Sequence, residues 1–429
     1  MLAARRGGKI LTSYNNPHHH RTTMDDPSEA YGPNRQREVY ASGMLADQRP
    51  EMPVSPDELE EAAMEALSEE ARAYVAGSAG GEDTADRNRE AFRRWRILPR
   101  MLQDVAERDL SVEMCGQEFP VPVLLAPVGV QSIIHEGGEL ASARAAQSLG
   151  VPFVSSSAAS ATMEDVADEL GDATGWFQLY PSADPDVTES FVNRAENAGY
   201  EAIVITLDTP TMGWRERDVA NAYLPFLDGE GVANYLSDPA FRDSLDAPPE
   251  EDEQAALWRF VEQFGDLSMD WETVERVRGA TDLPVLLKGT LHPEDAREAV
   301  RRDVDGVVVS NHGGRQVDGA ISAVEALPDV VRAVGDARSA KDAVDEGHDE
   351  FAVLFDSGIR RGADAVKALA LGADAVLLGR PYVYGLAIDG ENGVREVVRN
   401  FLADLDLTLA LSGYDSVAEL DESVLVERD

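Results

Sequence analysis

The 429-residue chain contains a single cysteine, Cys115. That excludes an intramolecular disulfide and a thiolate metal site. Lysine is nearly as scarce: Lys9, Lys288, Lys341 and Lys367 are the full set. No run approaches the roughly 18 consecutive apolar residues of a membrane span. The N-terminus lacks the apolar core of a secretory signal, so a cytoplasmic location is expected. No Gly-x-Gly-x-x-Gly follows an early strand, which argues against a doubly wound, dinucleotide-binding sheet. Positive charge is in deficit: 38 Lys plus Arg stand against 80 Asp plus Glu, formally −42. Such a surface repels nucleic acid and anionic membranes. The acids are dispersed through amphipathic segments rather than pooled in a tail. A solvated, salt-adapted surface and a halophilic host are therefore expected, not disorder.

What is present divides into three stretches. Residues 1–35 are polar and without period, and are expected to be a disordered tail. His18, His19 and His20 fall there with no second ligand cluster, so a metal site is not expected. Met24 opens a more acidic segment and is a candidate start. Residues 36–120 are expected to form a cap. Ser55-Pro-Asp-Glu-Leu reads as a helix start running toward Tyr74. After the glycine-rich break Ala76–Glu82 a second helix should pass through Phe92 and Trp95. Leu110–Met114 with Cys115-Gly-Gln suggests a small hairpin.

From residue 121 to 429 short apolar runs alternate with helical stretches, as in parallel βαβ units. The runs start at Val123, Pro152, Gly175, Ala202, Pro284, Gly306, Phe351 and Ala375. About eight such units predict a TIM (β/α)8 barrel, with the cap and barrel as one structural domain. Two segments break the rhythm. Thr209 to Trp271 is far too long for a βα loop and predicts a lid after strand four. Gly335 to Glu350, acidic and lysine-bearing, reads as a surface excursion.

Most of the runs end in a chemically special residue: Ser156, Gln178 with Tyr180, Thr206 with Asp208, Lys288, Ser310 with His312, Asp356, Gly379 with Arg380. In a barrel those ends converge on one face, where active sites form. Ser310-Asn-His-Gly-Gly-Arg315 puts a titratable base three residues from a fixed cation, which suits proton removal from a small acid. Asp208 is placed to hold the second nitrogen of His312. Arg215 and Arg315 can clamp a carboxylate, with Tyr74 and Tyr180 as hydroxyl partners. Gly358, Arg360, Gly379 and Arg380 follow the last two strands, where barrels hold phosphate. A phosphate site at one end and a flat polar site at the other describe FMN. Lys288 would then lie near the flavin edge that gains negative charge on reduction.

These motifs resemble those of the FMN-dependent L-2-hydroxy acid oxidases and dehydrogenases, the glycolate oxidase family. Ser310–Gln316, Phe177–Tyr180, Thr206–Pro210, Leu287–Gly289, Asp356–Arg360 and Gly379–Pro381 match it in order, from about Tyr40 to the C-terminus. Within the family, Tyr74–Gly80, Gly213–Arg217, Asn221–Phe226, Asn234–Pro239 and the long insertion are similar to the lactate 2-monooxygenase branch. The resemblance implies that His312 is the base, supported by Asp208, with Arg215, Arg315, Tyr74 and Tyr180 on the substrate. It implies that Ser156, Gln178, Thr206, Lys288 and Ser310 hold the flavin ring and ribityl chain. The Pro127-Val128-Gly129 backbone would face the flavin N5. Asp356, Gly358, Arg360, Gly379 and Arg380 would serve the ribityl and phosphate end. Gly129 stands where most relatives carry alanine, and in the monooxygenase branch that glycine is associated with retaining pyruvate. A homotetramer or homooctamer is implied as well.

The resulting expectation is oxidation of L-lactate with O2 to acetate, carbon dioxide and water. The alternatives within the chemistry are an oxidase that releases hydrogen peroxide and a quinone-linked dehydrogenase. A lysine-dependent aldolase-type lyase using Lys288, and a non-catalytic flavin-binding protein, are alternatives of other classes.

Overall fold

The structure, a computed structural model, describes residues 31–342 and 351–428. Eight parallel strands close a barrel: β1 Val123–Leu125, β2 Phe153–Ser156, β3 Gly175–Leu179, β4 Ile203–Thr206, β5 Val285–Lys288, β6 Gly306–Val309, β7 Ala352–Phe355 and β8 Ala375–Leu378. Each strand pairs with the next in sequence, and β8 returns to β1. Every residue in these strands is buried on both faces, as helix-covered parallel strands must be. β-Branched and leucine side chains fill both faces because no water reaches either.

Strand side chains alternate with period two. The inward set at mid-strand is Leu124, Val154, Trp176, Val204, Leu286, Val308, Leu354 and Leu377, one from each strand in a single apolar cluster. Burying each of the aliphatic ones is worth about 1.5–3 kcal/mol. Two residues further along each strand, on the same inward face, come Ala126, Ser156, Gln178, Thr206, Lys288, Ser310, Asp356 and Gly379. The polar layer of the barrel is thus one pleat above its apolar plug. The hairpin Val112–Met114 and Gln117–Phe119 closes the opposite end, with Phe119 edge-on to Trp176 at 6.0 Å.

The cap begins earlier than expected. Helix α1 spans Tyr31–Ala46, so residues 31–35 are helical and not tail. Its Gly32 N–H donates to the buried Asp406 carboxylate at 2.7 Å on the C-terminal helix Arg380–Ser412. Residues 1–30, with His18–His20, Lys9 and Met24, lie outside the described residues. The helix expected from Ser55 to Tyr74 is two: α2 Pro56–Ala66 and α3 Glu69–Ala76. Ser55 makes no side-chain cap, whereas Ser68 accepts from Ala71 N–H and restarts the helix at a new angle. Helix α4 is Asp83–Glu90, and Trp95 opens a short strand, Trp95–Ile97, paired with Leu425–Glu427 rather than ending a helix. The segment 335–342 also departs from expectation: it continues the helix Ala323–Asp342, and residues 343–350 lie outside the described residues. The insertion after β4 is folded into short helices, including Glu216–Asn221, Ala233–Ser237 and Glu253–Gln263. Its Phe226, Tyr235, Phe241 and Phe260 are buried against the barrel.

Candidate active site

One cleft of about 1120 Å³, counting its mouth, opens at the carboxyl ends of the strands. Tyr74, Pro127, Val128, Gly129, Ser156, Tyr180, Arg215, Lys288, His312, Arg315, Asp356, Gly358, Arg360, Gly379 and Arg380 all border it. Gln178, Thr206, Ser310 and Asp208 stand immediately behind, each bonded or registered to a residue on the wall. Ser156 Oγ donates to Gln178 Oε1 at 2.9 Å. Thr206 is the sheet partner of Lys288. Lys288 Nζ donates to Ser310 Oγ at 3.1 Å and lies 3.3 Å from Asp356 Oδ2.

His312 Nδ1 lies 2.8 Å from Asp208 Oδ1. A carboxylate only accepts, so Nδ1 carries the proton and Nε2 is left as the basic nitrogen. Thr209 Oγ1 donates to the same carboxylate oxygen at 3.1 Å and steadies it. Burial pushes the His312 imidazole below its ordinary value, with Lys288 and Arg215 acting the same way and Asp208 opposing. Burial resists ionisation of Asp208, but His312 and Lys288 win and hold its carboxyl low. Burial likewise works against the Lys288 ammonium, and Asp356 and Asp208 more than offset it, so its pKa is raised. A Schiff-base lysine needs the opposite shift, so the lyase alternative finds no support at Lys288.

His312 sits on strained backbone. His312 has φ +58° and is followed by Gly313 at +65° and Gly314 at +80°. Left-handed backbone costs a non-glycine residue roughly 1–2 kcal/mol. Three groups hold the turn there. Ser310 Oγ accepts the His312 N–H at 3.0 Å, Ser357 Oγ accepts that of Gly313 at 3.0 Å, and Asn311 Oδ1 accepts that of Gly314 at 3.1 Å.

The two arginines are both brought to the cleft. Arg315 Nη1 donates to the carbonyls of Tyr74 at 2.5 Å and Gly77 at 2.7 Å, at the end of α3, and its guanidinium lies 5.0 Å from the Tyr74 ring. Among the described residues its Nε and Nη2 make no hydrogen bond, which leaves them for a carboxylate. Burial first, then the nearby Arg215 cation, push Arg315 down to about 9, so it remains charged at neutral pH. Arg215 donates to the Arg315 carbonyl at 3.2 Å and to Gln316 Oε1 at 2.9 Å. Burial raises the Tyr74 and Tyr180 phenols, which therefore stay protonated and can donate.

At the other end of the cleft the arginines differ from one another. Burial pushes the Arg360 guanidinium below its usual range, and its Nε has no partner among the described residues. Arg380 was expected to serve a phosphate. It borders the cleft, and its guanidinium donates to the carbonyls of Val75, Gly313 and Gly77 and to Ser78 Oγ, at 2.8–3.1 Å. Those bonds brace the cap against the His312 turn.

Gln178 Nε2 and Thr206 Oγ1 are also buried without partners among the described residues. Buried polar groups in folded proteins are almost always paired. Three unmatched donors around one cleft fit a ligand with ring acceptors at one end and an anion at the other. FMN has that form. Gln178, Thr206 and Lys288 would hold its ring, and Arg360 with the Gly358 and Gly379 backbone its phosphate. Residues 63–427 match the family described as FMN-dependent dehydrogenase. The chain belongs to that family. Its cofactor is FMN.

An L-lactate oxidase of Lysinibacillus sphaericus is 42% identical over 377 residues, covering 88% of this chain and 94% of that one. Human 2-hydroxyacid oxidase 1 is 40% identical over 355 residues, covering 82% and 90%. Among solved structures, mandelate oxidase aligns with a TM-score of 0.75 at 38% identity, over 88% of this chain and 98% of that one. No helix among the described residues of this flavoprotein is long and apolar enough to cross a membrane.

Four contributors were not read from the sequence. Ser357 was passed over inside Asp356–Arg360, although a hydroxyl beside a strand-end aspartate was a usable signal. Phe226 and Phe264 of the lid also border the cleft, and Phe264 stands 5.1 Å edge-on to Tyr180. Nothing in their local pattern separates them from core aromatics. Asn88, on α4, reaches the His312 turn from the cap.

Proposed function

We propose that this flavoenzyme oxidises a small L-2-hydroxy acid, and that L-lactate with O2 is converted to acetate, carbon dioxide and water. The single observation that carries the oxidation is the His312–Asp208 pair in one cleft with Arg215 and Arg315. Arg315 and Arg215 bind the substrate carboxylate, and the protonated Tyr74 and Tyr180 phenols donate to its oxygens. Nε2 of His312 takes the proton released as the substrate is oxidised. Asp208 stabilises the imidazolium that results. FMN, which Gln178, Thr206 and Lys288 would hold at its ring, would supply the two-electron acceptor for the substrate and the reductant for O2.

The monooxygenase outcome is supported by Gly129 and the lid. A Cβ at Gly129 would lie 2.4 Å from the Ala158 carbonyl oxygen, so the turn beside the reacting face is packed tightly and without a side chain. The lid adds Met212, Phe226 and Phe264 over the cleft. Pyruvate held there meets peroxide before either escapes, and peroxide decarboxylates it. A second reading, an oxidase that releases peroxide, is favoured by the 42% identity to a protein named L-lactate oxidase. Assaying acetate, pyruvate and free peroxide together decides between them. Stoichiometric peroxide with pyruvate would defeat the monooxygenase reading. Assembly as a homotetramer or homooctamer belongs to the same proposal, and light scattering measures it.

A further inference from the structure

Helix α4 is wedged between two loops of the cleft. A Cβ on Gly314 would lie 2.6 Å from Ala85 N, and one on Gly358 would lie 2.3 Å from the Asn88 carbonyl oxygen. The glycines flanking the base and following Asp356 therefore admit this helix. The contact is also specific. Asn88 Nδ2 donates to Asn311 Oδ1 at 2.7 Å, and Asn311 Nδ2 donates back to Asn88 Oδ1 at 2.8 Å. Backbone groups fix both amide orientations: Gly314 N–H and the Ile321 carbonyl for Asn311, Ala323 N–H for Asn88. Asn88 is 1% exposed and Asn311 6%, so water cannot replace the pair. The other end of α4 grips the same segment. Thr84 Oγ1 donates to the Val317 carbonyl at 3.1 Å, and Asp318 accepts the N–H groups of Gly81 and Thr84 at 2.8 and 3.1 Å.

We propose that Asn88 is a positioning residue for His312, acting through Asn311 to hold the left-handed turn that presents the imidazole. The inference rests on the reading of His312 as the base. Of the three side chains that hold the turn, Asn311 is the one that accepts the Gly314 N–H, and its amide is held in place by Asn88. Without Asn88 the turn loses one of the supports that offset its strain, while Ser310 and Ser357 keep theirs. The imidazole then drifts from the substrate proton, while the carboxylate-binding groups and the phosphate end keep their own supports. Arg315 hangs on the α3 carbonyls, and the Gly358 loop rests on the backbone of residue 88, which any side chain retains.

The test is anaerobic flavin reduction by stopped flow in Asn88→Ala holoenzyme, with whichever of lactate, glycolate and mandelate the wild type uses best. The reduction rate is expected to fall about 10- to 100-fold, the effect of a sub-ångström to ångström misplacement. Substrate dissociation and FMN affinity, the latter from fluorescence titration of apoprotein, should stay within about threefold. N88A combined with Asn311→Ala should be no slower than N311A alone, because the two act as one unit. Asn88→Asp sets a buried carboxylate oxygen against Asn311 Oδ1 and should be at least as slow as N88A, whereas Asn88→Ser, smaller and still polar, should be intermediate and carries the test if N88A does not accumulate folded. A wild-type rate in the variant, additive effects in the double variant, or FMN affinity falling in step with the rate would each overturn the proposal. His312→Asn separates the two layers: full flavin reduction in that variant removes the base itself.

Discussion

Asp208 and His312 stand 104 residues apart in sequence and 2.8 Å apart in space, carboxylate oxygen to Nδ1. Neither group is well solvated, so each sets the other's charge. The first consequence concerns Asp208→Asn. The amide keeps the shape but offers no charge to the imidazolium, so the flavin reduction rate should drop about 100-fold or more, with FMN retained. Stopped-flow reduction measures it. A loss under threefold would mean that the pair is structural.

The same pair fixes the direction of the pH response. Burial, with Lys288 and Arg215, holds His312 below its ordinary 6.5. The imidazole is therefore unprotonated at neutral pH, and if it acts as the proposed base the acid limb of kcat/KM should lie below the usual histidine range. In Asp208→Asn the one group pulling the value upward is gone, so the limb should move lower still. Stability follows the same sign. The folded value is below the unfolded one, so the neutral imidazole stabilises fully above the unfolded value and that contribution is lost as pH falls through the folded one. A limb above 6.5 would contradict the assignment.

Arg315→Lys removes the planar fork while keeping a charge. The two α3 carbonyls and the Tyr74 ring are matched to a guanidinium, and lysine reaches them with one nitrogen. We expect kcat/KM to fall about 100-fold, chiefly through KM. Steady-state assays against substrate concentration show it, and an unchanged KM would place the carboxylate elsewhere.

Gly129→Ala asks for space that is not there. The new methyl would force the turn off the Ala158 carbonyl, which now accepts the Val130 N–H at 3.0 Å. If retention of pyruvate depends on that packing, free peroxide relative to acetate should rise about tenfold or more. An unchanged ratio would separate Gly129 from the fate of the product.

The surface makes its own prediction. At a formal charge of −42 the folded chain repels itself, and salt shortens the reach of that repulsion from roughly 30 Å at 0.01 M to about 3 Å at 1 M. The thermal midpoint should climb steadily with potassium chloride. A flat curve would show that the acids are tolerated without added salt.

The barrel and its ring of strand-end groups were legible in the sequence because their signal is local. A buried parallel strand is a short apolar run, and the residue that ends it faces the mouth by a period of two. That arithmetic put Lys288, Ser310 and Asp356 on one face without any knowledge of contacts. It failed where structure depends on what lies opposite. The segment 335–342 was acidic enough to read as loop, yet it extends a helix whose other face is covered. Tyr31 opens a helix because Asp406 is there to receive the next N–H.

The sequence alone determined the ring of chemistry, the base-and-cation spacing of His312 and Arg315, and the charge of the surface. Only the tertiary structure decided what supports them. It made Gly314 and Gly358 seats for α4, turned Arg380 toward the cap, and joined Asn88 to Asn311 across 223 residues. The physical reason is range. Alternation and propensity act between neighbours along the chain, whereas a buried hydrogen bond between distant segments exists only once the whole core has closed around it.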